Sequence, residues 1–305
     1  MKYLNLSEGF NPYKASFTNK NLIHYDSFFF SGGEPHIKII TKYSEPQTVH
    51  ITCRINSMND LGILMVAYDA LRESSWMGDV YLTIPYFPGA RQDRRMIEGE
   101  PLTIRVYADI INEMRFGSVT VFDPHSDVTA AVLDRIEVVN NHKFVKRALR
   151  DICRIDAPTP DVINMWGKEV HIVSPDAGAN KKISKLAIYL NAESIVKCDK
   201  TRDVSTGAIS GFEVYTDDLE GRDAVIVDDI CDGGGTFLGL AKELKKKNAG
   251  NLHLVVSHGI FSKGLKELLE VFSSIYTTDS IKDISEVDEN KLMSNFNVIK
   301  LIDIL

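Results

Sequence analysis

A chain of 305 residues, 44% hydrophobic and 25% charged, has the composition of a soluble globular protein and the length for two domains of ordinary size. Its formal charge of -7 argues against a general affinity for nucleic-acid backbones or anionic membranes, and leaves small anionic ligands open. The opening MKYLNLSEGFNPYK lacks the basic-then-apolar order of a signal peptide, and no apolar run approaches the ~20 residues of a membrane span, so a cytoplasmic location is expected, with no nucleic acid and no membrane as partner.

Along the chain, β-rich runs alternate with helical stripes. VYLTIPY at 80–86 is followed by a predicted helix near 102–115 and by VTVF at 119–122. In the second half come VHIVSP, SIVK, AVIVD, LHLVVS and SSIYTT, interleaved with apolar residues at i, i+3, i+4 and i+7: Ile183, Leu186, Ala187, Leu190; then Phe237, Leu240, Ala241, Leu244; then Leu265, Leu268, Leu269, Phe272. That alternation predicts an α/β fold of mainly parallel sheets flanked by helices. Trp76 and Trp166 read as core residues. The cysteines at 53, 153, 198 and 231 form no CxxC pair and no zinc spacing, so they read as reduced thiols. IDAPTPDVI at 155–163, with two prolines and no periodicity, reads as a connection and puts a domain boundary within 143–165. A first domain of 1–145, rejoined by 297–305, and a second of 146–296 are expected. DKTRDVSTGAISGF at 199–212 has little to anchor it and reads as a mobile loop.

The stretch VIVDDICDGGGT at 225–236 carries the most chemistry. An apolar strand is expected to stop at Asp228 and Asp229, and three glycines then open into a helix. A glycine-rich turn at a helix N-terminus offers unpaired backbone N–H groups to a phosphate, and paired carboxylates accept hydrogen bonds from sugar hydroxyls. A sugar phosphate is the ligand expected; the plainer alternative is a strand end and a turn. No GxxxxGK[ST] exists in the chain, and GIFSKGLK at 259–266 only approaches it, so a Walker A loop is excluded.

VIVDDICDGGGT resembles the phosphoribosyl-diphosphate loop of the phosphoribosyltransferase fold. FSGGE (30–34), INSMND (55–60), PYFPGARQDRR (85–95), DPHSD (123–127), SPDAG (174–178), DKTR (199–202) and SHGIFS (257–262) follow the order seen in ribose-phosphate diphosphokinases, the PRPP synthetase family. The resemblance implies two domains of phosphoribosyltransferase-like type. It further implies transfer of the diphosphoryl group of MgATP to the 1-hydroxyl of ribose 5-phosphate, giving PRPP and AMP. Arg91, Gln92, Asp93 and His125 would bind ATP, with Phe30 and Glu34 contacting the ATP of a neighbouring subunit, which implies a homo-oligomer of at least two subunits and up to a hexamer. His125 and Asp176 would ligate Mg2+. Asp228, Asp229, Asp232, Gly233, Gly234, Gly235 and Thr236 would hold the sugar phosphate, and Lys200 and Arg202 would be the catalytic pair. A shift of negative charge onto the phosphate oxygens during such a transfer calls for cations placed in advance.

The chain also departs from the family pattern. Gly233 stands where the family has a hydroxyl residue, which clears volume beside the 5-phosphate and raises ADP-ribose as an alternative acceptor. Met96, Ile97, Glu98 and Gly99 replace basic residues that in many members bind regulatory phosphate or ADP. Gly32 replaces a frequent Asp, and the usual short tail is missing after Leu305. Two rival classes are a phosphoribosyltransferase, which needs neither ARQDR nor DPHSD, and a non-catalytic regulatory subunit, which the retained Lys200, Arg202, His125 and Asp176 disfavour.

Overall fold

The computed structural model describes residues 1–14, 20–42, 45–73, 77–154, 170–192, 195–202, 209–283 and 295–305, without the side chains of 77, 202, 209 and 210. Trp76, Trp166 and the connection at 155–163 lie outside the described residues. The chain divides into two compact units, Met1–Asn140 with Ser280–Asp283 and Lys300–Leu305, and Asn141–Asp279 with Ile284–Ile299.

The first unit is built on a parallel sheet of order β1-β4-β5-β6-β7, formed by Lys2–Asn5, Gln47–Thr52, Met77–Ile84, Val119–Phe122 and Ile136–Val139. Its strands are short apolar runs because both faces are covered: Val49, Ile51, Leu82, Ile84, Val119 and Val121 are almost fully buried. Helix α1 (Met58–Arg72) starts at Ser57, whose side chain accepts from the Asp60 N–H while the Asp60 carboxylate accepts from the Ser57 N–H, a reciprocal cap inside INSMND. Helix α2 (Thr103–Glu113) turns Ile104, Ala108 and Ile111 to the core, as the predicted helix near 102–115 requires. Helix α3 (Asp127–Val132) follows DPHSD. Outside this sheet, β2 (Tyr25–Phe29) and β3 (Pro35–Ile39) pair as an antiparallel hairpin.

The second unit begins with helix α4 (His142–Ile152) and holds a sheet of order β10-β9-β8-β11-β12-β13-β14. These strands are β8 Val170–Ser174, β9 Ile195–Arg202, β10 Ile209–Val214, β11 Asp223–Cys231, β12 Leu252–Gly259, β13 Ser274–Thr278 and β14 Phe296–Ile299; all pairings are parallel except β9 with β10. Helices α5 (Asn180–Leu190) and α6 (Gly235–Lys246) bury the apolar positions counted in the sequence. Helix α7 (Lys266–Val271) is a shorter version of the third stripe, with Leu268 and Phe272 buried and Leu265 and Leu269 half-buried. Because β14 pairs with β13, residues 297–299 belong to the second unit and the return to the first starts at Lys300.

Two expectations need correction. The strand of VIVDDICDGGGT does not stop at Asp228: β11 continues to Cys231, since Asp228, Ile230 and Cys231 keep register with Val256, His258 and Gly259 of β12. The segment expected as a mobile loop at 199–212 is strand at both described ends: 199–202 and 209–212 pair antiparallel in β9 and β10, with Lys200 facing Phe212 in register, while 203–208 lie outside the described residues. Its anchor is Phe212, whose ring lies so close to Gly239 of α6 that a Cβ there would fall 2.3 Å from Cε2. A single aromatic ring under a helix glycine supplies the apolar contact that the composition of the segment did not suggest.

Candidate active site

The order of the second sheet reverses between β8 and β11: the chain leaves β8 toward β9 and β10, and leaves β11 toward β12 on the other side. Connections that diverge from adjacent parallel strands open a crevice at their carboxyl ends, where open α/β sheets bind ligands. SPDAG follows β8, and the aspartates and glycines of 228–235 end β11. Both motifs therefore sit at this switch point.

Asp176 is half-buried beyond β8. Its Oδ1 accepts from the Ala179 N–H at 3.0 Å, and Gly178 leaves room for the carboxylate, since a Cβ there would lie 3.2 Å from the same oxygen. Its Oδ2 is in direct contact with the Lys200 ammonium. Asp228 and Asp229 alternate across β11. Asp229 is buried and takes the Lys182 ammonium at 3.3 Å. Asp228, at the site's surface yet crowded by protein atoms, has no cation partner among the described residues. Burial, then the neighbouring carboxylates of Asp229 and Asp176, push its carboxyl well above the usual range, against the Asp229 N–H that donates to its Oδ1 at 2.9 Å. Three carboxylates facing two lysines leave a local excess of negative charge, which suits a cation or a hydroxyl donor. Cys231, at the end of β11, is a thiol with its pKa pushed to about 12 by burial and takes no part in such chemistry.

Beyond Cys231 the chain turns into α6 through Gly234, at φ +77°, a left-handed conformation with Leu268 Cδ2 only 3.1 Å from where a Cβ would stand. The N–H groups of Gly233, Gly235 and Thr236 have no protein partner among the described residues. They form the backbone cradle that the sequence suggested. The neighbouring turn at 260–264 is tied along it: Ile260 and Phe261 donate to the Cys231 carbonyl at 2.9 and 3.1 Å, and Ser262 Oγ donates to Asp232 Oδ1 at 2.6 Å. The volume expected to be cleared at Gly233 is covered instead by the Lys263 stem, with Cδ and Cε 3.3 and 3.4 Å from the position of a Cβ.

In the first unit, Arg91 and Gln92 are exposed after β5, in a turn where Gln92 N–H donates to Gly89 O at 2.8 Å; Asp93 pairs with Arg94 at 3.3 Å. Glu100 accepts from the Met96 and Ile97 N–H groups at 3.0 and 3.3 Å, so the segment that departs from the family pattern is closed by an acid. His125 is half-buried between β6 and α3. Phe30 and Glu34 close the β2–β3 hairpin, with Phe30 N–H donating to Glu34 O at 2.9 Å and the Phe30 ring 4.9 Å from Phe28. Glu34 Oε2 lies 2.6 Å from the place of a Cβ on Gly32, which is why a side chain there would displace it.

The structure brings Asp176, Lys200, Asp228 and Asp229 to one end of one sheet, next to the cradle. The Arg202 side chain lies outside the described residues. Lys182 and Lys263 were missed by sequence reasoning. Lys182 had a signal: lysines 181 and 182 in the first turn of α5 are misplaced for the helix dipole unless carboxylates face them.

Fold and site together define a phosphoribosyltransferase-type α/β protein with a glycine-rich backbone cradle at its switch point. Residues 15–114 match the N-terminal domain of ribose phosphate pyrophosphokinase, and residues 156–290 the phosphoribosyl transferase domain. A ribose-phosphate pyrophosphokinase of Vibrio parahaemolyticus is 31% identical over 83% of this chain and 77% of its own length. That of Granulibacter bethesdensis is 29% identical over 72% and 68%. The crystal structure of phosphoribosylpyrophosphate synthetase from Mycobacterium smegmatis superposes with a TM-score of 0.77, covering 99% of this chain and 95% of that one at 18% identity, a likeness of fold. The chain belongs to the ribose-phosphate pyrophosphokinase family and is an enzyme.

Proposed function

We propose that the enzyme transfers the diphosphoryl group of MgATP to the 1-hydroxyl of ribose 5-phosphate. The 1-oxygen attacks the β-phosphorus, the bond from that phosphorus to the α–β bridging oxygen breaks, AMP leaves and the hydroxyl proton is released, giving PRPP. The observation that carries this reading is the meeting of Asp176, Lys200, Asp228 and Asp229 beside the 233–236 cradle at the switch point.

In this reading the backbone N–H groups of Gly233, Gly235 and Thr236 hold the 5-phosphate, and Asp228 accepts from a ribose hydroxyl. A hydroxyl donor stabilises the ionised form of a carboxyl that burial and like charges disfavour, so sugar binding relieves that cost. Asp229, already paired with Lys182, keeps the strand end rigid. Lys200 sits on β9 with its ammonium on Asp176, and it would move onto the transferring phosphates as their charge develops. Arg202 is assigned the same electrostatic role, and Arg91, Gln92, Asp93 and His125 the binding of ATP. Phe30 and Glu34 are assigned to the ATP of a second subunit in a homo-oligomer.

Among the described residues no three acidic, histidine or cysteine side chains gather into a ready-made metal site, which suits a magnesium held by one or two carboxylates together with substrate phosphates and water; at the switch point the carboxylates exceed the lysines that neutralise them. Asp176 and His125 would hold it, and when bound it would offset negative charge on the phosphates. A second acceptor reading is ADP-ribose. It rests on Gly233, whose covering by a movable lysine stem leaves the loop without a fixed side chain at that point.

AMP release from MgATP, measured with ribose 5-phosphate and with ADP-ribose, tests the proposal. AMP formed in step with one acceptor is the expected result. No AMP with either acceptor would overturn it.

A further inference from the structure

We propose that Lys263 is a phosphate-contacting, specificity-determining residue of the sugar-phosphate loop, admitted there because residue 233 is glycine. This rests on the function proposed above and adds to it a charged side chain from outside the 228–236 motif.

The stem of Lys263 runs along the backbone of Gly233, with Cδ, Cε and Cγ at 3.3, 3.4 and 3.6 Å from the place of a Cβ. Any side chain at 233 would press on that stem. The contact is set by a built turn: Ser262 Oγ and N both donate to Asp232, and Phe261 and Ile260 donate to the Cys231 carbonyl. Phe261 adopts φ +49°, a conformation that a bulky residue rarely takes, while its ring is buried 5.8 Å from that of Phe296. The turn is thereby held in the one geometry that lays residue 263 along the cradle.

Lys263 is exposed and has no ion pair or hydrogen bond among the described residues, although the chain carries 42 acidic residues. Asp232, the acid nearest in the loop, is engaged by Ser262. The ammonium, one bond beyond a Cε that lies 3.4 Å from the place of a Cβ on Gly233, is therefore uncommitted, and the N–H groups of Gly233, Gly235 and Thr236 in the same loop have no partner among the described residues. Backbone amides and a mobile ammonium together make a stronger phosphate site than amides alone. A flexible cation, unlike a fixed hydroxyl, also adapts to a phosphate that carries a further substituent.

The test is steady-state AMP release at saturating MgATP with ribose 5-phosphate and with ADP-ribose as varied acceptors. Lys263→Met, which keeps the stem and loses the charge, should raise KM for the accepted sugar phosphate about 10- to 100-fold. The kcat and the KM for MgATP should stay near wild type, and Lys263→Arg should keep the low KM. Gly233→Thr should raise the acceptor KM in the native background but add little in the Lys263→Ala background, because the stem it would displace is absent. An unchanged acceptor KM in Lys263→Met, a loss confined to kcat, or additive effects of the paired substitutions would overturn the proposal. Wild-type protein that releases no AMP with either acceptor would sink the functional reading itself. An active wild type beside an indifferent Lys263→Met would sink only the role of Lys263.

Discussion

The two units solve the problem of presenting charge in different ways. In the second, the chemistry is built into the sheet: Asp228 and Asp229 are ladder-bonded strand residues, Asp176 is fastened to the start of α5, and the glycine cradle is the start of α6. In the first, the strand order runs from β1 through β4, β5 and β6 to β7 without a reversal, and Arg91 and Gln92 stand on an exposed turn. A reversal lets two strand ends converge on one ligand, and convergence brings like charges together in a poorly solvated place. An unreversed sheet imposes no such crowding, so Arg91 and Gln92 remain solvated. The difference predicts that substitution of a crowded carboxylate in the second unit changes stability and turnover together, whereas substitution of the exposed Arg91 in the first changes ligand affinity alone.

The largest effect should come from Lys200. Lys200→Ala is expected to lower kcat by about 10² to 10³ in an AMP-release assay while the folded protein melts normally, by analogy with other electrostatic stabilisers. An unchanged rate would remove the β9–β10 hairpin from the mechanism.

Asp228→Asn sharpens the comparison because its two effects oppose one another. Activity should fall on the order of 10²-fold or more, since the ribose hydroxyl loses a charged acceptor. The ligand-free protein should become more stable, since the amide oxygen still accepts from the Asp229 N–H and a crowded charge is gone. The sign with pH follows from a folded-state pKa above the unfolded one. The wild-type cost is absent below about pH 4, the ordinary carboxylate range, and grows as pH rises toward the raised value. The melting temperatures of the two proteins should converge in acid and separate toward neutral pH. Parallel curves would mean that Asp228 carries no such cost.

Gly234→Ala should destabilise the second unit by about 1–2 kcal/mol from its left-handed backbone, with a further contribution from the Leu268 contact, measured by denaturant unfolding. His50 of β4 gives a comparable probe in the first unit. It is buried, bonded to Thr83 Oγ1 at 2.8 Å, and burial lowers its pKa to about 4. A depressed histidine pKa means stability that is complete above about pH 6.5 and is lost as pH falls toward the folded value. His50→Gln should flatten that acid slope without touching turnover. The smallest effect is expected from Arg91→Ala: a rise of about tenfold in the KM for MgATP, at normal melting temperature and little changed kcat. A large loss of stability there would erase the contrast between the units.

Much of the second unit was readable in advance, because buried parallel strands are short apolar runs and their helices repeat at i, i+3, i+4 and i+7. DDICDGGGT, SPDAG and DKTR marked the site for the same reason: glycines and acids are punctuation where they interrupt an apolar pattern. What stayed hidden was longer in range. Asp228 looked like the end of a strand, yet pairing with β12 carried the strand to Cys231. The segment at 199–212 looked unanchored, since its anchor, Phe212 against Gly239, joins residues far apart in the chain.

The amino-acid order determined which residues carry charge, which stretches form strands and helices, and that a glycine-rich turn opens α6, because those properties follow from local periodicity and backbone stereochemistry. Only the tertiary structure decided that Lys200 meets Asp176, that Lys182 meets Asp229 and that Lys263 covers Gly233. Each of those pairs is a contact between separate elements, and the distance between two side chains is set by how strands order in a sheet, which no local pattern encodes.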